Sequence, residues 1–260
     1  MKVEEVMSVN PLHIGVEEYV THAREMMRDN NIQCLPVVQN GRYQGMITAQ
    51  DIVNVTSTKS NVTVDGYLRM DVTTVSPSTN LAEAARRIIG TDTGRMAVVT
   101  DSGHLIGVLS IVDVFKGIEE LGVPDLPVRD VMHREFTVVT PGEHISKVWA
   151  NMIAFNFRGF PVVRMDQTVI GMITREDIIR RGYVRFERED ESPKWRPSTV
   201  EMIMSTPAVT INEDDSVREA AAIFTKRSFS HLPVLKDGKL SGVMDRRDVL
   251  KVCRRLMAVE

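Results

Sequence analysis

LPVVQNGRYQGMITAQD, residues 35–51, reads as a β-hairpin: two apolar strings rich in β-branched residues flank Asn40-Gly41. Asn-Gly accepts the positive φ angles that a two-residue hairpin turn demands. The same design recurs three times. MAVV at 96–99 precedes GVLSIVD from Gly107, FPVV at 160–163 precedes GMITRED from Gly171, and LPVL at 232–235 precedes GVMDRRD from Gly242. Ser102-Gly103 and Asp237-Gly238 supply similar turns, whereas the third copy uses Met165-Asp166-Gln167 without glycine. The glycines that open the second strings stand 62, 64 and 71 residues apart, a period long enough for a unit holding both strands and helices.

Upstream of each hairpin lies a helical pattern with apolar residues at offsets of three and four. In the first unit these are Val16, Tyr19, Val20, Ala23, Met26 and Met27; in the second Leu81, Ala84, Ala85, Ile88 and Ile89; in the third Ile145, Val148, Trp149 and Met152; in the fourth Val217, Ala220, Ala221 and Phe224. A second helix is expected after each hairpin, opening at Thr48, Ser110, Thr174 and Asp245, and a short first strand around 12–14, 74–75, 136–139 and 208–211. The unit is strand, helix, strand, strand, helix, an α/β (α+β) repeat. About 55 residues bury too little surface alone, so repeats are expected to pair. The boundaries read as 1–58, 62–120, 126–183 and 198–258, with 184–197 a charged connector carrying Pro193 and Pro197.

Composition narrows the function classes. The 260 residues are 43% hydrophobic and 26% charged with a net charge of -3, so there is no overall electrostatic case for coating a nucleic acid or an anionic membrane. The two cysteines, Cys34 and Cys253, form neither a disulfide framework nor a zinc spacing, and a reducing cytoplasm is the expected compartment. The first residues lack the pattern of a secretory signal, and no stretch approaches the roughly 18 apolar residues of a membrane helix. None of the six histidines is set in a metal-binding helix pattern, so no metal is expected. The basic residues of 245–257, among them Arg246 and Arg247, are expected on a solvated helix face.

The units resemble CBS domains, and the chain resembles two tandem CBS pairs, or Bateman modules. Besides the hairpins, the family's lead-in motif is matched by VEEVM at 3–7, VRDVM at 128–132 and VEMIM at 200–204, and more loosely by VDGYL at 64–68. Four-repeat chains of this kind are similar to stand-alone prokaryotic CBS proteins and to the gamma subunit of the AMP-activated kinase. The resemblance implies that Gly-h-h-[Ser/Thr]-x-x-Asp, with h hydrophobic, frames an adenosyl-ligand site between repeats. The hydroxyl and the aspartate then contact the ribose or nearby phosphate. On this sequence those pairs are Thr48/Asp51, Ser110/Asp113 and Thr174/Asp177, with Asp245/Asp248 in the fourth repeat.

The same string has a plain structural reading, because Ser, Thr or Asp opening a helix with an acid three residues later is a capping box. Both readings stand at this point. A helix N-terminus offers N–H groups and a positive dipole end to a phosphate, and the acid can accept from ribose hydroxyls. Gly45, Gly107, Gly171 and Gly242 leave room for a ligand, or for a bulge or tight backbone packing. Arg95, Arg158 and His231 precede their apolar strings where the family places cations, and each is either a phosphate ligand or a solvated strand-edge residue. Repeat 1 has Gln33-Cys34 there, and Asp245 opposes a phosphate by charge.

The expected function is a non-enzymatic regulatory sensor that binds AMP, ADP or ATP in clefts between paired repeats and transmits occupancy to a regulated partner. One alternative ligand is S-adenosylmethionine, and one alternative role is a ligand-free interaction scaffold. No cofactor other than the regulatory ligand is expected. The repeats leave no room for a separate catalytic domain. A homodimer and a single four-repeat disc are both compatible with the pattern.

Overall fold

The computed structural model describes residues 1–52, 61–69, 73–155, 157–181, 198–227 and 229–253. The expected connector at 184–197 and most of the second helix expected in repeat 1 lie outside the described residues. The chain divides into two compact units, one comprising Met1–Pro124 with Ala221–Ser228 and Val249–Glu260, the other Asp125–Ala220 with Phe229–Asp248.

In the first unit the elements are β1 (Ser8–Val9), β2 (Ile14–Gly15), α1 (Val20–Asp29), β3 (Cys34–Gln39), β4 (Arg42–Thr48), β5 (Thr74–Val75), α2 (Leu81–Ile89), β6 (Arg95–Val99), β7 (Leu105–Ser110) and α3 (Ile111–Val114). In both repeats of this unit the first strand runs parallel to the second, which pairs antiparallel with the third: β2 with β3 and β4, then β5 with β6 and β7. Asn40 and Gly41 have φ of 52° and 75°, the left-handed pair that a tight hairpin turn requires. The remaining elements are α4 (Ile145–Ala154), β8 (Gly159–Val163), β9 (Val169–Thr174), α5 (Arg175–Arg180), β10 (Ile211–Asn212), α6 (Val217–Lys226), β11 (His231–Lys236), β12 (Lys239–Asp245) and α7 (Arg246–Lys251). In the glycine-free third hairpin Gln167 itself takes φ of 67°, its N–H bonded to the Arg164 carbonyl at 2.9 Å.

Each lead-in motif folds onto the neighbouring repeat rather than its own. Val3 and Glu4 donate backbone N–H bonds to the carbonyls of Thr79 and Pro77, and Val64 and Asp65 reciprocate onto Glu18 and Val16. In the second unit Val128 and Arg129 bond to Asp215 and Glu213, and Val200 and Glu201 to Glu143 and Pro141. Apolar burial drives the exchange. Val64 is fully buried in the first repeat's core with Ile14, Ala23, Leu35, Val37 and Ile47, and Val200 and Ile203 close the third repeat's core around Phe160 and Ile173. The chain just beyond each motif then edges the neighbour's sheet: Ser8 pairs with Val108, Arg69 bridges Met46, His133 bridges Val243 and Ser205 bridges Met172.

Several expected boundaries move. α1 starts at Val20, because Tyr19 lies in an extended N-cap conformation and is exposed, while Val16 packs on the core from outside the helix. The first strands at 12–14 and 208–211 shift to Ile14–Gly15 and Ile211–Asn212, and 136–139 forms no strand, only a parallel bridge from Val139 to Val162. Parallel pairing beside the hairpin lasts at most two residues before the chain turns toward the helix, too short for the apolar pattern to mark.

Candidate functional site

The hairpin register sets the site in every repeat. It places Cys34 opposite Thr48, Arg95 opposite Ser110, Gly159 opposite Thr174 and His231 opposite Asp245. Arg95 and His231 thus hold equivalent positions directly across from the helix-opening residue. Arg158 sits one residue earlier, so Gly159 takes the corresponding place in repeat 3.

All four strings close as caps. The Asp Oδ2 accepts the backbone N–H of Thr48 at 2.8 Å in repeat 1, and those of Ser110, Thr174 and Asp245 at 2.9 Å in the others. The hydroxyls of Thr48, Ser110 and Thr174 each donate to the same Oδ2 at 2.6 Å. In repeat 4 Asp245 replaces the hydroxyl, its Oδ1 accepting N–H bonds from Arg247 at 2.7 Å and Asp248 at 3.1 Å. One carboxylate oxygen is consumed by the cap everywhere.

The second oxygen, Oδ1, meets a nitrogen of a basic side chain in each repeat, and the source differs. Asp51 is held by Arg69, whose Nε and Nη2 lie 2.8 and 2.7 Å away, and Asp248 by His133 Nε2 at 2.9 Å. Both side chains arrive from the neighbouring repeat's lead-in. Asp113 is met by Lys116 Nζ at 2.6 Å and Asp177 by Arg180 Nη2 at 2.8 Å, each three residues on in its own chain segment. Lys116 Nζ also donates to the Val6 carbonyl at 3.0 Å.

The glycines owe their place to the crossing lead-in. A Cβ on Gly107 would stand 2.7 Å from Met7 Sδ, one on Gly171 2.7 Å from the Ser205 carbonyl, and one on Gly242 2.5 Å from Met132 Sδ and 2.9 Å from the His133 carbonyl; at Gly45 it would collide with the Arg69 carbonyl. Close backbone approach accounts for Gly45, Gly171 and Gly242, while at Gly107 the nearest atom is the end of the Met7 side chain and the Ser8 carbonyl stands at 3.1 Å.

Electrostatics separate the two units. In the second unit, loss of solvent around the His231 ring pushes its pKa below the ordinary 6.5; Asp245, Glu176 and Asp248 oppose the shift, and Arg158 adds to it. His231 Nδ1 bonds Ser230 Oγ at 2.9 Å. Arg246 is buried rather than on the solvated face expected for it, and that burial lowers its pKa against the opposing fields of Glu176 and Asp245. In the first unit burial raises the Cys34 thiol pKa while the charge of Arg95 pulls it down, and burial raises that of Tyr43, whose hydroxyl has no hydrogen-bond partner among the described residues.

Four residues at the aspartates escaped the sequence reading: Arg69, Lys116, His133 and Arg180. A signal for two of them existed, since Arg69 and His133 stand immediately after their lead-in motifs where the other copies have Ser8 and Ser205. Among the described residues no group of His, Cys, Asp and Glu could hold a metal ion, and no helix is long and apolar enough to cross a membrane.

Four repeats of this topology, each closing an Asp cap just after its hairpin, define a class of tandem-repeat protein. The chain belongs to the CBS domain family, which matches residues 3–57, 64–120, 128–183 and 200–255. It is 26% identical over 249 residues to protein MJ1225 of Methanocaldococcus jannaschii, covering 86% of this chain and 89% of that protein. The crystal structure of MJ1225 covers 96% of this chain and 99% of its own, with a TM-score of 0.79 at 22% identity. A Pyrococcus horikoshii protein covers 97% of this chain and 100% of its own, with a TM-score of 0.67 at 22% identity.

Proposed function

We propose that the chain is a non-enzymatic, cytoplasmic regulatory protein that binds adenine nucleotides, AMP, ADP or ATP, in the clefts between paired repeats, and that a partner protein reads the occupancy. The observation that carries this reading is the register of Arg95 directly opposite Ser110, the residue whose hydroxyl donates to the Asp113 carboxylate. A phosphate suits the cation and a ribose diol suits the carboxylate. Membership of the CBS family supports the regulatory role. S-adenosylmethionine, which carries no phosphate, makes no use of Arg95.

Binding at the clefts shifts the balance between arrangements of the repeats only as far as the ligand prefers one of them. The scaffold reading draws on a different observation: each aspartate already serves its cap. Thermal melting of nucleotide-stripped protein against AMP, ADP, ATP, GTP and S-adenosylmethionine separates the three. Ligand at a hundred times its dissociation constant stabilises by about 2.7 kcal/mol per site. A shift confined to adenine nucleotides is expected, a shift with S-adenosylmethionine alone replaces the nucleotide, and no shift with any of them leaves the scaffold.

A further inference from the structure

We propose that an anionic ligand held between repeats 3 and 4 is bound together with a proton on His231, so that the second unit binds it more tightly as pH falls, whereas the first unit, with Arg95 in the equivalent place, binds it without a proton. This rests on the adenosyl-ligand reading above and adds regulation to it.

His231 and Arg95 hold one place in the hairpin, opposite Asp245 and Ser110. Each reaches the paired repeat at the equivalent point of its own hairpin. Arg95 Nη1 donates to the Thr93 carbonyl at 3.3 Å, and the charge of the guanidinium extends to Cys34, the residue opposite Thr48. His231 Nδ1 stands 3.3 Å from the point that a Cβ on Gly159 would occupy, and Thr174 Cγ2 lies at the same distance from that point. Gly159 is the residue opposite Thr174. An imidazole from repeat 4 and the capping threonine of repeat 3 therefore meet over a residue without a side chain. His231 Nδ1 is taken by Ser230 Oγ at 2.9 Å, so Nε2 is the atom that a ligand phosphate would meet.

The groups around His231 make the proton necessary. Asp245 and Asp248 come from the end of its own hairpin, Glu176 from α5, and Arg158 from just before β8. Arg246 is buried in the fields of Glu176 and Asp245, and Asp248 is bonded to His133. With the imidazole neutral, three carboxylates outnumber two guanidiniums there, and an entering phosphate is opposed. A proton on Nε2 removes the excess and supplies a charge-assisted hydrogen bond. Loss of solvent keeps the ring neutral near pH 7 in the ligand-free protein, and an opposite charge at close range restores the proton. The two effects are one linkage: an anion that favours the charged imidazole is held more tightly by it. Affinity then rises as pH falls through the ligand-bound midpoint and levels off below the ligand-free one. Arg95 stays charged throughout this range.

NMR of the full chain follows the His231 Cε1–H signal, assigned by triple resonance, from pH 5 to pH 9 with saturating AMP, with adenosine and in buffer. AMP is expected to raise the titration midpoint by about one unit or more, the effect of an opposite charge at close range. Adenosine, which lacks the phosphate, is expected to leave it in place. Calorimetry of AMP binding at pH 8 and pH 6 gives a second readout against His231→Arg, whose charge is permanent. The ratio of wild-type to variant affinity is expected to rise severalfold from pH 8 to pH 6, and taking the ratio cancels the titration of the AMP phosphate itself near pH 6. If circular dichroism shows that the variant does not fold, the wild-type NMR titration carries the test. A midpoint that bound AMP leaves unmoved, one that adenosine raises as far, a flat ratio in the folded variant, or binding of S-adenosylmethionine alone overturns the inference and leaves the adenosyl reading intact. Binding of neither AMP nor S-adenosylmethionine overturns both.

Discussion

The carbonyl oxygen of Ser205 lies 2.7 Å from the point that a Cβ on Gly171 would occupy, closer than real Cβ contacts come. Ser205 is held there by reciprocal backbone bonds with Met172 at 3.0 and 2.8 Å. The contact is with backbone, not with the end of a flexible side chain. Gly171→Ala is therefore expected to force the lead-in away from the sheet and to destabilise the protein by about 1–3 kcal/mol, the usual cost of overpacking. Gly142→Ala is the control, since nothing lies within 4 Å of a Cβ added there. Urea unfolding of the two variants measures the contrast, and equal stabilities would remove the crossing lead-in as the reason for glycine.

Val64 gives the apolar counterpart. It belongs to the second repeat in sequence yet is fully buried in the core of the first. Val64→Ala removes two buried methyl groups and leaves a cavity, a loss of about 2 kcal/mol. Val9→Ala, at a side chain 62% exposed, is expected to cost less than about 0.5 kcal/mol. Denaturant midpoints compare the pair, and a silent Val64→Ala would mean that the lead-in is not anchored by burial.

These two residues also mark where sequence reading stops. The helices at Leu81–Ile89, Ile145–Ala154 and Val217–Lys226 follow the apolar spacing of three and four, and the hairpins follow their turn residues, because both signals are local. Pairing of repeats was also legible, from the small size of each unit. The exchange of lead-ins was not, since a single short turn such as Val64–Tyr67 has the same pattern whichever core receives it. Arg69 and His133 as partners of Asp51 and Asp248 become visible only after that exchange is known. Proximity to an apolar string groups Arg158 with Arg95, but a one-residue difference in register puts Gly159 in that place.

The histidine beside Asp245 makes stability depend on pH. Burial depresses the His231 pKa below 6.5, so the unfolded chain binds the proton more readily than the folded one. Stability is therefore complete above about pH 6.5, the ordinary histidine value, and falls as pH drops below it. Glu213 adds a separate loss at lower pH: its hydrogen bond with Lys236, at 2.7 Å, holds its carboxyl below the ordinary 4.5, so its contribution fades as the pH falls through the depressed value. Melting temperature measured from pH 8 to pH 5 is expected to decline, and His231→Asn to flatten the decline near pH 6. An unchanged profile in that variant would assign the loss to other groups.

The two thiols report on the cores of the repeats. Burial lifts the Cys34 pKa above its ordinary 9.0 and Cys253 to about 11, and Cys253 Sγ also donates to the Val249 carbonyl at 3.3 Å. The thiolate is the reactive form, so both effects slow attack on a disulfide reagent, and burial removes access as well. Native protein at pH 8 is expected to react with Ellman's reagent far more slowly than a free thiol, with both cysteines reacting at once in guanidinium. Cys34 tests the hairpin register as well as its burial. It lies opposite Thr48 and feels the charge of Arg95, the one influence that favours its thiolate. Arg95→Gln should therefore slow the native reaction of Cys34 further while leaving that of Cys253 unchanged, which a Cys253→Ala background isolates. Faster labelling in Arg95→Gln would mean that the arginine shields Cys34 from reagent more than it stabilises the thiolate.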